Sequence, residues 1–251
     1  MTDARPNLSI IIPAYNEEKR LGRTLSRIRE YLGAQGLQPE QVEVIVVDDG
    51  STDRTIQIVH EWEQQFPGLR AVSNGTNHGK GYSVRHGMLE ARGDIALFTD
   101  ADLSSPIEES EKLFNAIRAG SDVAIGSRAI DRSLISVHQS QFRELAGMIF
   151  NGFVRLLTGL ALQDTQCGFK AFLTQPSRIV FEQQRIEGFG FDPEILFLAG
   201  RHGLKIAEVP VRWAHDPATK VHVFRDSLRM FVDLLYIRWN WLSGRYPTKN
   251  A

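Results

Sequence analysis

The stretch Ile95-Ala96-Leu97-Phe98-Thr99-Asp100-Ala101-Asp102-Leu103-Ser104 decides how this chain is read. Its first half is short and apolar without alternation, the pattern of a strand buried on both faces of a parallel sheet. Its second half places two carboxylates one residue apart where that strand ends. Open α/β sheets bind ligands in the crevice outside the carboxyl ends of their strands. Leu8–Ile12 (ended by Pro13), Val42–Val47, a weaker Leu69–Ser73 and Val123–Gly126 repeat the buried-strand pattern.

Helical periodicity fills the intervals. Leu21, Leu25, Ile28 and Leu32 form one face of a helix over Glu17–Leu32. Asp53–Phe66 follows Ser51 and Thr52, which are plausible caps, and Tyr82–Ala91 is a third helix. Ile107–Ala119 is a fourth, with Pro106 near its start. Alternating strands and helices predict an α/β fold with a mostly parallel central sheet flanked by helices and joined by right-handed crossovers.

Composition narrows the functional class. The chain has 251 residues, 42% of them hydrophobic, enough for one generous domain or a domain with an appendage. A formal net charge of -1 argues against a nucleic-acid partner. The single cysteine, Cys167, excludes an internal disulfide framework and fits a reducing, cytoplasmic setting. Met1–Asn7 carries no apolar signal region, and no apolar run reaches the roughly 18 residues of a spanning helix.

The pattern changes after Gly126. Arg128–His138 is polar and aperiodic, so a mobile loop is expected there. Gln141–Leu157 is an amphipathic helix, Asp164–Lys170 a loop entering a short strand, Pro193–His202 a helix and Ile206–Val211 a strand. Val223–Leu242 is a helix with aromatic residues beside basic ones. Between Lys220 and Lys249 there are six Lys or Arg against two Asp. Such a helix suits a membrane interface; packing on the sheet or on another subunit is the alternative, which leaves a homo-oligomer open. The expected division is a catalytic domain over residues 1–212, with a loop at about 129–138, and a C-terminal amphipathic extension over 213–251.

The strand ends hold the chemistry. A bend after Thr99 can turn both Asp100 and Asp102 to one cation, and oxygen ligands of this kind suit Mg²⁺ or Mn²⁺. Two loop carboxylates can equally serve as caps; Ser104 can supply a further oxygen or cap the next helix. Asp48-Asp49-Gly50-Ser51 can accept hydrogen bonds from a base or ribose, or form an ordinary helix-capping turn. No Gly-x-Gly-x-x-Gly follows the first strand, which argues against a nicotinamide cofactor. In Asn77-His78-Gly79-Lys80-Gly81 the glycines permit close backbone approach, and Lys80 or Arg85 can face phosphate oxygens; a simple turn with a solvated lysine is the plainer reading. Arg128 is a candidate for pairing with phosphate. Cys167 is read as a small buried residue, and His215 and His222 as surface residues.

Taken together, Pro13-Ala-Tyr-Asn-Glu-Glu18, Val46–Thr55, Gly79-Lys-Gly81, Thr99–Ser104, Gly126-Ser-Arg128, Asp164-Thr-Gln-Cys-Gly-Phe-Lys170 and Gly190-Phe-Asp-Pro-Glu194 resemble the family 2 glycosyltransferases of the GT-A fold. Within that family the chain looks most similar to the dolichyl- or polyprenyl-phosphate sugar transferases. The resemblance implies inverting transfer of a hexose from a nucleotide sugar to a polyprenyl or dolichyl monophosphate. It implies donor contacts at Pro13, Tyr15, Glu17, Asp48, Asp49, Lys80, Asp100 and Ala101, with Asp48 and Asp49 as the ribose- and base-binding acids. It implies Mg²⁺ or Mn²⁺ at Asp100, Asp102 and Ser104, catalytic roles for Asp102, Arg128 and Asp192, and an acceptor region at Arg128, Ser133, Gln166 and Lys170.

Gly79-Lys-Gly81 and the helix after it look more like the glucosyl relatives; Asp-Ala-Asp-Leu-Ser is closer to the mannosyl ones. UDP-glucose is therefore the favoured donor and GDP-mannose the alternative. A phosphate acceptor is already anionic, with a second pKa of about 6, so no general base is needed; for a glycan hydroxyl acceptor Asp192 is the candidate base. The expected setting is peripheral, on the cytoplasmic face of a membrane. Two further readings are a glycosyltransferase elongating a glycan and a non-catalytic nucleotide-sugar-binding or adaptor module. The concentration of carboxylates at the strand ends counts against the second.

Overall fold

The computed structural model describes residues 6–216 and 223–247. Lys220, His222 and Lys249, and residues 1–5 of the leader reading, lie outside the described residues. The elements run β1 (Leu8–Ala14), α1 (Leu21–Ala34), β2 (Val42–Asp48), α2 (Thr55–Glu63), β3 (Leu69–Ser73), α3 (Lys80–Glu90), β4 (Ile95–Thr99), α4 (Ser110–Arg118) and β5 (Val123–Ser127). They continue with β6 (Ile135–Val137), α5 (Gln141–Thr158), β7 (Phe169–Leu173), α6 (Thr174–Gln183), α7 (Phe191–Arg201), β8 (Ile206–Pro210), β9 (Trp213–Ala214) and α8 (Val223–Leu242).

Seven strands form one sheet in the order β3-β2-β1-β4-β7-β5-β8. All pairings are parallel except those of β7, which runs antiparallel between β4 and β5. Apolar runs without alternation are explained by cover on both faces. Ile10, Ile12, Val44, Val46 and Leu97 pack under α1 and α4. Ile11, Ile45, Val47, Phe98 and Phe172 pack against α3, α6 and α7. The strand order reverses between β1 and β4, and a crevice opens beyond the carboxyl ends of strands at such a point.

Several local expectations need correction. The polar, aperiodic segment 128–138 holds two short ordered elements. The Asp131 carboxylate accepts from the Ser133 N–H at 3.0 Å and caps a short 3-10 turn over Arg132–Leu134. β6 then pairs in parallel with β9, Ile135 opposite Trp213. Ser51 and Thr52 do not cap α2. The Ser51 Oγ instead accepts from the Asn16 N–H at 2.9 Å, and Asp53 Oδ1 accepts from the Thr55 N–H at 2.9 Å. Ile107–Glu109 is a separate 3-10 turn before α4, and Thr174–Gln183 adds a helix, α6, where the sequence pattern predicts none.

α5 starts at Ser140, whose side chain accepts from the Arg143 N–H, and stops at left-handed Gly159, φ 75°. It packs along α8, with the Phe153 and Phe231 rings 5.1 Å apart, and α8 in turn lies on α7, where Trp241 meets Phe197.

Candidate active site

A cavity of about 710 Å³ opens at the strand-order reversal. Its floor comes from strand ends: Pro13 at the end of β1 with Tyr15 and Glu17 just after it, Asp49 after β2, and Asp100, Ala101 and Asp102 after β4. The loop Arg185–Phe189 and one face of α8 (Arg229, Met230, Asp233, Tyr236) complete the wall.

The two acids after β2 do different things. Asp48 is buried, and both carboxylate oxygens accept from the Ser51 N–H at 3.3 and 3.4 Å, so it shapes the turn and does not line the cavity. Asp49 pins the next loop. Its Oδ1 accepts from Asn74 Nδ2 at 2.8 Å and from the His78 N–H at 3.0 Å, and its Oδ2 from the Gly79 N–H at 2.8 Å. Gly79 sits at φ 111°, a conformation that strongly favours glycine, and its neighbour Lys80 becomes the first residue of α3.

Lys80 reaches across the cavity to Asp100, Nζ to Oδ1 2.5 Å. Burial works against its charge, but Asp100, Asp192 and Asp102 outweigh that and hold the ammonium above the ordinary lysine range. Asp102 accepts from the Ser104 N–H at 2.9 Å; burial and the neighbouring Asp100 push its carboxyl up. Ser104 thus serves Asp102 through both its backbone and its hydroxyl, which oppose that shift. Gly168 explains part of the Asp164–Lys170 segment: a Cβ there would overlap the Asp100 carboxylate.

Sequence reasoning missed Arg20. Its guanidinium is clamped by Glu17 and by Asp216 at 2.7 Å and stands 3.9 Å from Asp102, in the cavity wall. Burial opposes its charge but the three acids prevail and raise it. The i, i+3 spacing of Glu17 and Arg20 is the only local signal; the Arg185–Phe189 loop and the α8 face had none.

The remaining candidates stand apart from this cavity. Asp192 and Lys170 lie beneath it as a buried pair, Nζ to Oδ1 2.5 Å, with the ammonium also donating to the Cys167 carbonyl at 2.6 Å. Burial pushes the Asp192 carboxyl up, with Lys170 opposing. Cys167 is buried as expected, its thiol pushed up to about 11 by burial and Asp164. Arg128 makes a two-pronged pair with Asp164, Nε to Oδ2 2.6 Å and Nη2 to Oδ1 2.8 Å. Burial opposes ionisation of Asp164, yet Arg128 holds it down to about 2.

Arg128 and Gln166 line a second cavity of about 380 Å³ between the β5–β6 segment and α5. Arg132, Arg143 and Arg155 line it too, beside Met148 and Trp213. Gln166 Nε2 lies 3.9 Å from the sulfur of Met230, a wall residue of the first cavity, so the two spaces share this partition. Ser133 lines neither cavity; its hydroxyl is held by Asp131 at 2.6 Å.

A divalent cation fits the Asp100–Asp102 pair. Among the described residues no group of three or more His, Cys, Asp or Glu surrounds one point. Mg²⁺ commonly takes only one or two carboxylates and completes its shell with water and substrate phosphates, and a cavity with two strand-end carboxylates suits that mode.

Comparison with known proteins agrees with this architecture. The pattern described as "Glycosyl transferase family 2" matches residues 9–173. The dolichyl-phosphate beta-glucosyltransferase of Homo sapiens is 34% identical over 249 residues, covering 95% of this chain and 77% of that protein. The protein of the same name from Saccharomyces cerevisiae is 35% identical over 260 residues, covering 95% and 76%. Among solved structures, glucosyl-3-phosphoglycerate synthase from Mycobacterium tuberculosis in complex with uridine-diphosphate shares the fold. Its TM-score is 0.66 at 22% identity, covering 94% of this chain and 80% of that one. The layered sheet, the acids at its strand ends and these similarities lead to one assignment: the chain belongs to glycosyl transferase family 2, and it is a glycosyltransferase.

Proposed function

We propose that this enzyme transfers glucose from UDP-glucose to a dolichyl or polyprenyl monophosphate with inversion at the anomeric carbon. The observation that carries the reading is the pairing of two cavities across Gln166 and Met230, one acidic with Lys80, the other lined by four arginines. The names of the relatives support the donor sugar and the acceptor.

In this reading an oxygen of the acceptor phosphate attacks the anomeric carbon. The bond from that carbon to the β-phosphate oxygen breaks, and UDP leaves with the electron pair. The acceptor is already ionised, so no proton must be removed. That agrees with a cavity in which Asp192 is occupied by Lys170 rather than facing the substrate space. Asp49 holds the His78–Lys80 loop for the nucleotide, and Lys80 and Arg20 bring positive charge towards the leaving diphosphate. The Asp100–Asp102 pair would hold Mg²⁺ or Mn²⁺, whose chemistry there is neutralisation of that leaving group. Arg128 and its neighbours would hold the acceptor phosphate.

The same reading places the enzyme on a membrane surface, the cytoplasmic one. Among the described residues no helix is long and apolar enough to cross a membrane. α5 and α8 nevertheless expose a joint apolar face: Leu156 is 78% exposed, Leu228 68%, Trp239 60% and Leu242 69%. Such a face beside arginines suits shallow insertion among lipid headgroups.

The test is turnover. The purified protein is incubated with Mg²⁺ or Mn²⁺, a polyprenyl phosphate in detergent, and either UDP-glucose or GDP-mannose, and the lipid product is followed by mass. A hexosyl phospholipid from UDP-glucose alone is expected. Product from GDP-mannose alone overturns the donor, and intact donor binding without lipid product overturns the acceptor.

A further inference from the structure

We propose that Lys80 is a built-in counter-ion of the acidic pair, so that a divalent cation binds well only together with the nucleotide diphosphate that draws the ammonium off Asp100. The proposal rests on the donor and metal reading above and concerns the order in which charge enters that site.

The geometry sets the conflict. The Lys80 ammonium already lies on Asp100 at 2.5 Å, against one of the two carboxylates proposed to hold the cation. An ammonium and a dication on one carboxylate repel each other, and in a walled cavity that repulsion is poorly screened. Asp100 has little room to retreat, because its carboxylate is seated against the bare Cα of Gly168. The backbone of Lys80 is fixed as well. Asp49 holds the N–H groups of His78 and Gly79, and the Tyr82 N–H donates to the Glu187 carbonyl at 3.1 Å.

What remains free to move is the lysine stem, whose side chain is 21% exposed to the cavity. A lysine ammonium is a compact charge on a flexible stem and binds phosphate as a point charge. A nucleotide diphosphate in the cavity therefore offers it a new partner of higher charge and uncovers Asp100 for the cation. Metal and nucleotide then strengthen each other, and the coupling is equal in both directions.

The test reads Mn²⁺ binding directly, from the free-ion electron paramagnetic resonance signal, on protein alone and protein with UDP. The native protein is expected to bind Mn²⁺ weakly alone and about ten-fold or more tighter with UDP, a size usual for coupling between sites. Lys80→Met is expected to bind Mn²⁺ alone about ten-fold tighter than the native protein and to respond less to UDP. Lys80→Arg keeps the positive charge and should keep weak binding of the metal alone. Thermal melting identifies a misfolded variant; if Lys80→Met melts abnormally, Lys80→Gln takes its place in the comparison. Native-like Mn²⁺ affinity in the folded uncharged variant overturns the proposal. Failure of UDP to bind the native protein at all, with or without Mn²⁺, overturns the donor reading instead, and the metal-only comparison still decides the counter-ion.

Discussion

The two cavities are built by opposite means. In the first, carboxylates stand at the ends of central strands, and the loop beside them is held by backbone N–H groups on Asp49. In the second, arginines project from a helix and from a segment ordered by the pairing of the short strands β6 and β9 and by the Asp131 cap. Strand ends in a covered sheet have little freedom, so the first space is preorganised for charge development. The second depends on longer side chains and a peripheral layer, which in the proposed function suits a flexible acceptor more than a fixed reaction geometry.

The largest expected effect separates chemistry from folding. Asp102→Asn should lower transfer by about 10²–10³-fold or more, as loss of a preorganised electrostatic group does, without lowering the melting temperature. Burial already disfavours the charged form of Asp102, so a neutral isostere relieves rather than strains the fold. Turnover beside a melting curve checks this; an active variant would remove Asp102 from the reaction.

The next effect should be confined to the second cavity. Asp164→Asn leaves Arg128 without its charged partner and should cost about 2 kcal/mol, below the full buried-pair penalty because Arg128 is partly exposed. KM for the lipid acceptor should rise while UDP affinity stays unchanged. The native pair also carries a pH signature: its contribution is present above the ordinary carboxylate range and is lost as pH falls towards about 2. Equal changes in acceptor and donor binding would dissolve the division between the cavities.

A smaller effect is expected at the surface. Replacing Leu156 and Trp239 together by Ser should reduce flotation with anionic liposomes, while UDP binding persists, since both side chains are exposed and line neither cavity. Undiminished flotation would detach the α5–α8 face from the membrane.

The smallest is a slope. Glu194 is fully buried, accepts from the Ile186 N–H at 2.8 Å and from the Tyr246 hydroxyl at 2.5 Å, and so ties the Arg185–Phe189 loop to the segment after α8. Burial pushes its carboxyl up to about 7 despite those hydrogen bonds. The folded state therefore prefers the proton, and Glu194 makes stability fall as pH rises from the ordinary range towards about 7. Glu194→Gln should flatten the melting temperature over that window. An unchanged slope would show that other groups set it.

Which parts were legible follows from the range of the interactions. Buried strands declare themselves because cover on both faces removes alternation, and β1 to β5 were located that way. The acids at 48, 49, 100 and 102 could be placed at strand ends because strand direction fixes where the chain emerges. Their division of labour could not: only the fold shows Asp48 closing its own turn while Asp49 holds residues 74–79. α6 and β9 escaped notice because a short amphipathic helix and a two-residue strand carry too little periodicity, and both are held by neighbours distant in sequence.

By itself, then, the amino-acid order determined a covered parallel sheet, the acids at its strand ends and an amphipathic last helix, since each of these depends on neighbours along the chain. Tertiary structure alone decided that β7 inserts antiparallel and brings Gly168 to Asp100, that Lys170 captures Asp192, and that α8 turns Arg229 and Asp233 into the first cavity. These depend on contacts between residues tens of positions apart, which no local pattern encodes because the free energy of burial and ion pairing is set by what the fold brings together.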